Sequence, residues 1–162
     1  MKNLLTNSET SMVKFCVDLA EEMVAEGLSP KIEYVEVDSR VELKDAELPD
    51  CDIIGLTQFS ISEPEAQLWA IHFVVVISTI SDVNLFRLRK LANFIYERLP
   101  AGADLVYYDA EAATEKSWIR VIPGTTQLPT HRVETRPFRF IQAQALLDPL
   151  QGSAQTSPDP VP

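Results

Sequence analysis

Leu68–Thr79, LWAIHFVVVIST, followed by Ser81–Leu91, SDVNLFRLRKL, is the stretch that decides how this chain folds. In an extended segment Trp69, Ile71, Phe73, Val75 and Ile77 fall on one face, and Ala70, Val74 and Val76 on the other. A strand that is apolar on both faces is expected in the middle of a sheet, covered on both sides. His72 lies on the second face and reads as a hydrogen-bonded histidine in or near the core. The period then changes. Leu85, Leu88, Leu91, Ala92, Ile95 and Leu99 recur at intervals of three and four, which predicts a helix over 83–99. Ser81 or Asp82 is placed to cap it, and Pro100 and Gly102 to end it.

Upstream, Met12, Phe15, Cys16, Leu19, Ala20 and Met23 make one apolar stripe, predicting a helix over 8–27 that Ser8 or Thr10 caps and Gly27 stops. Lys31–Asp38 (KIEYVEVD) reads as a strand, the charged segment 40–51 as a loop or irregular edge, and Asp52–Ser62 as a second strand. Gly55 inside it marks a bulge or a tight approach. Downstream come strands over 103–109 and 116–122, separated by a turn at 110–115 and followed by the Pro123–Gly124 turn. The last strand pattern spans Arg132–Leu147, where Pro137 calls for a bulge or an edge position. The order α-β-β-β-α-β-β-β predicts an α+β fold, a mixed or antiparallel sheet with two main helices packed on it. Residues 1–150 are expected to form a single domain. The proline-rich end, 151–162, cannot repay its own ordering entropy and is expected to be either free or laid on a neighbour.

The net charge of -10 is unevenly placed: residues 1–65 carry 15 acids against 5 bases, and residues 66–162 carry 9 of each. Phosphates repel such a chain, which argues against sequence-specific binding of nucleic acid. The acidic half has no D-x-D-x-D-G loop for calcium. Cys16 and Cys51 are too few for a disulfide framework and lack histidines at zinc spacing, so they read as reduced, mostly buried thiols. No apolar run approaches the length of a membrane span, and the first residues lack a secretory h-region, so a cytoplasmic, soluble protein is expected.

Motifs of catalysis are missing: there is no G-x-S-x-G, glycine-rich phosphate loop, H-E-x-x-H or C-x-x-C. The pairs Glu21/Glu22 and Glu63/Glu65 sit in polar stretches, where nothing drives two carboxyl pKa values apart. No catalytic residue, metal ligand or cofactor is therefore expected. Two regions stand out instead as candidate subunit interfaces. In the second helix Phe86 and Phe94 widen the apolar surface beyond one sheet contact, beside the bases Arg87, Arg89 and Lys90. In the last strand Arg132, Arg136, Phe138, Arg139 and Phe140 have the arginine-and-aromatic composition of an interface centre. The same residues also read as an edge strand protected by charge and proline.

The amphipathic first helix, the strands after it, the long apolar strand running into S-D-V-N-L-F-R-L-R-K-L, and the final R-P-F-R-F-I-Q-A-Q-A-L-L-D resemble, in order and texture over about residues 8–148, the tail terminator (tail completion) proteins of long-tailed bacteriophages. The resemblance implies a structural subunit of a hexameric ring that caps the tail tube, ends its polymerisation and joins it to head–tail connector proteins. In contractile tails it also implies contact with the sheath. Its implied place is the virion, after assembly in the host cytoplasm, with DNA passing the lumen without specific binding; the acidic half would then suit a surface that faces either DNA or a partner. The alternatives are another head–tail connector or baseplate subunit, a small cytoplasmic ligand-binding or regulatory α+β domain, and an enzyme with its site across a subunit interface.

Overall fold

The strand quoted first, β3 (Leu68–Ser78), lies inside a mixed sheet whose main path is β1 (Ile32–Tyr34), β2 (Asp52–Glu65), β3, β8 (Arg136–Leu147), β5 (Thr114–Val121) and β4 (Asp104–Asp109). Two short strands, β6 (Thr126–Gln127) and β7 (His131–Val133), pair with β8 as well. Helices α1 (Leu4–Ala25) and α2 (Phe86–Glu97) pack on the sheet, so the fold is α+β as expected. The computed structural model describes residues 3–37, 48–65 and 68–147, with backbone alone at 64, 65 and 114–116. The tail 151–162 and most of the loop expected over 40–51 lie outside the described residues.

The two faces read from β3 are real and are covered unequally. Ile71, Phe73, Val75 and Ile77 join Ile54, Leu56, Ile141, Ala143, Ala145 and Leu147 in the main core under the helices. On the other face Val76 packs with Val37, Ile53 and Phe138 in a second, smaller cluster at one end of the sheet. β1 runs parallel to β2, and the β2–β3, β3–β8, β8–β5 and β5–β4 pairs are antiparallel.

Helix α1 packs against β1 and β2 near one edge of the sheet and against β4 at the other, so the sheet curls around it. This explains why α1 begins at Leu4, not at the expected residue 8. Ser8 is fully buried inside the helix and is not its cap. Its neighbours dock the helix: Ser11 Oγ accepts from the Tyr108 amide at 2.8 Å, and Asn7 Oδ1 from the Ala110 amide at 3.1 Å. Asn7 and Ser11 thus satisfy the amide of Tyr108 in the terminal strand and that of Ala110 just after it, which helps protect that edge from wrong pairing. The other end was legible. Gly27, at φ 70, closes a Schellman motif, with the Leu28 amide on the Met23 carbonyl and the Gly27 amide on that of Val24.

Helix α2 starts three residues later than expected, at Phe86, after Leu85 in a left-handed conformation. Asp82 still serves as its cap from a distance, accepting from the amides of Arg87 (3.3 Å) and Leu88 (2.8 Å). Burial opposes its charge, but those amides, the Thr79 hydroxyl and the Arg87 guanidinium outweigh it, holding the carboxyl below its ordinary range.

The pattern over Arg132–Leu147 resolves into a hairpin, not one strand. β7 and β8 close through Glu134 (φ 55) and Thr135, with Val133 opposite Arg136. Pro137 is not at a bulge but at a locally edge-like position: β8 has neighbours on both sides further along, while at Pro137 only β7 is paired. It stands one residue before the β3 ladder begins at Ser78–Phe138, where a missing N–H removes no bond from that ladder. β1 is also shorter than the strand expected over 31–38.

Gly55 marks a tight approach, while the bulge in β2 falls between Thr57 and Ser60. A Cβ on Gly55 would lie 2.5 Å from the Val35 carbonyl oxygen and 2.9 Å from Val37 Cγ2. Gly55→Ala is therefore expected to cost about 1–3 kcal/mol in a urea titration through overpacking. A loss under roughly 0.5 kcal/mol would mean that the chain at Val35–Val37 yields freely.

Candidate interaction surfaces

The ten side chains singled out in the sequence separate by what they touch. On α2, Phe86 is 63% exposed, with the Lys90 ammonium 4.6 Å from its ring centroid, and Arg89 is exposed beside them. Arg87, next in sequence to Phe86, turns inward. Its Nε and Nη2 donate to Asp52 Oδ2 and Oδ1 at 2.7 and 3.0 Å, and Nη2 also donates to the Ile80 carbonyl. Asp52 is buried at the start of β2 and also accepts from the Ser29 hydroxyl and the Ile80 amide. Bonding to Asp52 raises the Arg87 guanidinium above its usual value in spite of burial. Phe94 is buried on the core side, with the Arg98 guanidinium 4.4 Å from its ring centroid.

Of the five candidates in the hairpin segment, Arg132 alone is exposed. Arg139 and Phe140 are half-buried: Arg139 Nη1 donates to the Leu128 carbonyl at 3.1 Å, and the Phe140 ring meets His131 edge to face at 5.7 Å. Arg136 and Phe138 are interior. Phe138 is 1% exposed, in the second cluster. Arg136 is 4% exposed and donates to Ser78 Oγ, the Pro49 carbonyl and the Cys51 carbonyl. The arginine–aromatic composition of this segment thus serves the interior of the chain at Arg136 and Phe138, because β8 is central. The surface set is Phe86, Arg89, Lys90 and Arg132.

Two surfaces were not picked out from sequence. Val106 and Trp118 are cross-strand partners on β4 and β5, 45% and 41% exposed, on the face away from the helices. The signal was present: Trp118 shares the parity of Arg120 in KSWIRVI, so it points with the charged residue. The second is a groove of about 660 Å³ between α1 and the terminal strand β1. Only tertiary packing creates it.

Cys16 and Cys51 are free and buried; burial pushes the Cys16 thiol up to about 12 and raises Cys51 too. Among the described residues no group of three or more His, Cys, Asp or Glu is gathered for a metal, and no helix is long and apolar enough to cross a membrane. A polar cavity of about 680 Å³ opens at the sheet end beside the β7–β8 hairpin. Two of the charged groups lining it have structural work: Asp82 caps α2, and Arg136 ties the segment before β2 to β8. His72 is half-buried on the outer sheet face, level with Ser60 and Gln144.

No family model and no curated protein matches the chain. One solved structure, of a protein whose name carries no functional word, is similar over 83% of this chain and 95% of its own, at 9% identity and a TM-score of 0.49. A likeness that remote carries no argument about function.

Proposed function

We propose that this chain is a phage virion structural protein, a tail terminator subunit that forms a ring, caps the tail tube and joins it to the head connector. The observation that supports it is the placing of exposed apolar side chains. Val83 and Phe86 stand at the start of α2, at the end of the sheet where β3 finishes. Val106 and Trp118 stand on the opposite face, beyond the Ile119–Leu147 pair at the other end. A ring subunit needs unlike patches, since its lateral contacts are heterologous and its axial contacts are made to different proteins. The helix patch suits a lateral neighbour, and the flat Val106–Trp118 patch suits an axial partner such as the tube or connector.

Mass photometry with negative-stain imaging of the purified chain tests this. A sixfold ring with a central hole that binds the ends of tail tubes is the expected result. A stable monomer or dimer would overturn it in favour of a binding module, and a twelvefold ring in favour of a connector.

A further inference from the structure

The groove between α1 and β1 is lined by the apolar Val17, Val24, Ile32 and Tyr34, with Glu21 and Glu33 at its rim. β1 ends the sheet path, so the groove runs along a sheet edge. Lys31 is the one base of its lining and is paired with Glu33. The wider setting is strongly acidic: from Val17 to Glu36 the sequence carries six acids and one base. At the start of α2 the signs are reversed. From Val83 to Leu91 there are three bases and no acid, and Phe86 projects there with Lys90 lying on its ring. The inward bonds of Arg87 to Asp52 anchor the first turn of α2, while Phe86 is left exposed.

We propose that the acidic α1–β1 groove of one subunit receives the Phe86–Arg89–Lys90 face of α2 from a second copy of the chain. Phe86 supplies a rigid aromatic anchor for the apolar floor, and Arg89 and Lys90 meet Glu21 and Glu33 at the rim. A second copy is the occupant because both halves, apolar and of opposite charge, belong to the same chain. They are different patches, so a head-to-tail contact is available to them, and within the ring reading its rotation closes. Glu21 and Glu33 then act between subunits and do not face the lumen. The inference rests on the ring reading and adds to it which surfaces meet.

Two charge-reversed variants test it, with folding checked by circular dichroism: Glu21→Arg/Glu33→Arg and Arg89→Glu/Lys90→Glu. Each alone is expected to associate at least about a hundredfold more weakly in sedimentation velocity, roughly tenfold for each reversed charge. Mixed in equal amounts, the two are expected to restore the wild-type assembly, since each groove then meets a face of opposite sign. Assembly unchanged in either variant, or not restored on mixing, overturns this interface while a wild-type ring keeps the ring reading. A wild-type chain that stays monomeric overturns both.

Discussion

Arg136→Ala is expected to destabilise the fold by about 3–5 kcal/mol, the largest effect of any single substitution considered for this chain. Arg136 is the first residue of β8 and nearly inaccessible, and its guanidinium bonds Ser78 Oγ on β3 and the carbonyls of Pro49 and Cys51 before β2. Truncation would leave the Ser78 hydroxyl and the Cys51 carbonyl with fewer donors in a buried place, while the Pro49 carbonyl borders the polar cavity. Each such loss costs about 1–3 kcal/mol. Ser78 is a relay: its hydroxyl donates to the Pro137 carbonyl at 2.6 Å while it accepts from Arg136, so the β3–β8 junction loosens too. Arg136→Lys keeps charge but not the fork, and is expected to recover less than half of the loss. Urea midpoints with unchanged m-values measure both. A loss under about 1 kcal/mol for the alanine variant would show that the junction is held by packing alone.

Breaking the Arg87–Asp52 pair comes next. Arg87→Met is expected to cost about 3 kcal/mol, at the low end for a buried pair because the Arg87 side chain is 26% exposed and Asp52 only 2%. Asp52 would keep its bonds from Ser29 and the Ile80 amide but lose the compensating cation. The double variant Asp52→Asn/Arg87→Met removes both charges and is expected to regain at least about 1 kcal/mol relative to Arg87→Met. The pair ties α2 to the start of β2, so Arg87→Met should also weaken assembly if Phe86 is the anchor proposed above. Denaturation and sedimentation separate the two effects. A double variant no more stable than the single one would contradict the account.

The gap between the two arginines and the reading they received in sequence shows where periodicity stops being informative. Arg87, Arg89 and Lys90 are indistinguishable as a basic run, yet one is folded inward and two face solvent. What separates them is Asp52, 35 residues away, and that partner is brought there by the β2–β3 pairing. Arg136 and Phe138 carried the same ambiguity. The start of β8 is paired on one side only, but Arg136 is covered there by the segment before β2, and from Phe138 onward a strand lies on either side. Ser8 misled for a related reason: a small polar residue serves equally as a cap and, with Asn7 and Ser11, in a buried docking face.

Local chemistry sufficed for what is decided locally. The alternation of LWAIHFVVVIST placed β3 inside the sheet and assigned its faces, the three-and-four spacing identified both helices, and Gly27 and Gly55 marked a stop and a close approach. These follow from steric rules and burial that act within a few residues. Tertiary structure alone decided that β8 has neighbours on both sides, that α1 seals the β4 edge, and that a groove opens beside β1. Strand order and the direction of a long side chain depend on partners far apart in the chain. No spacing within a single segment records them.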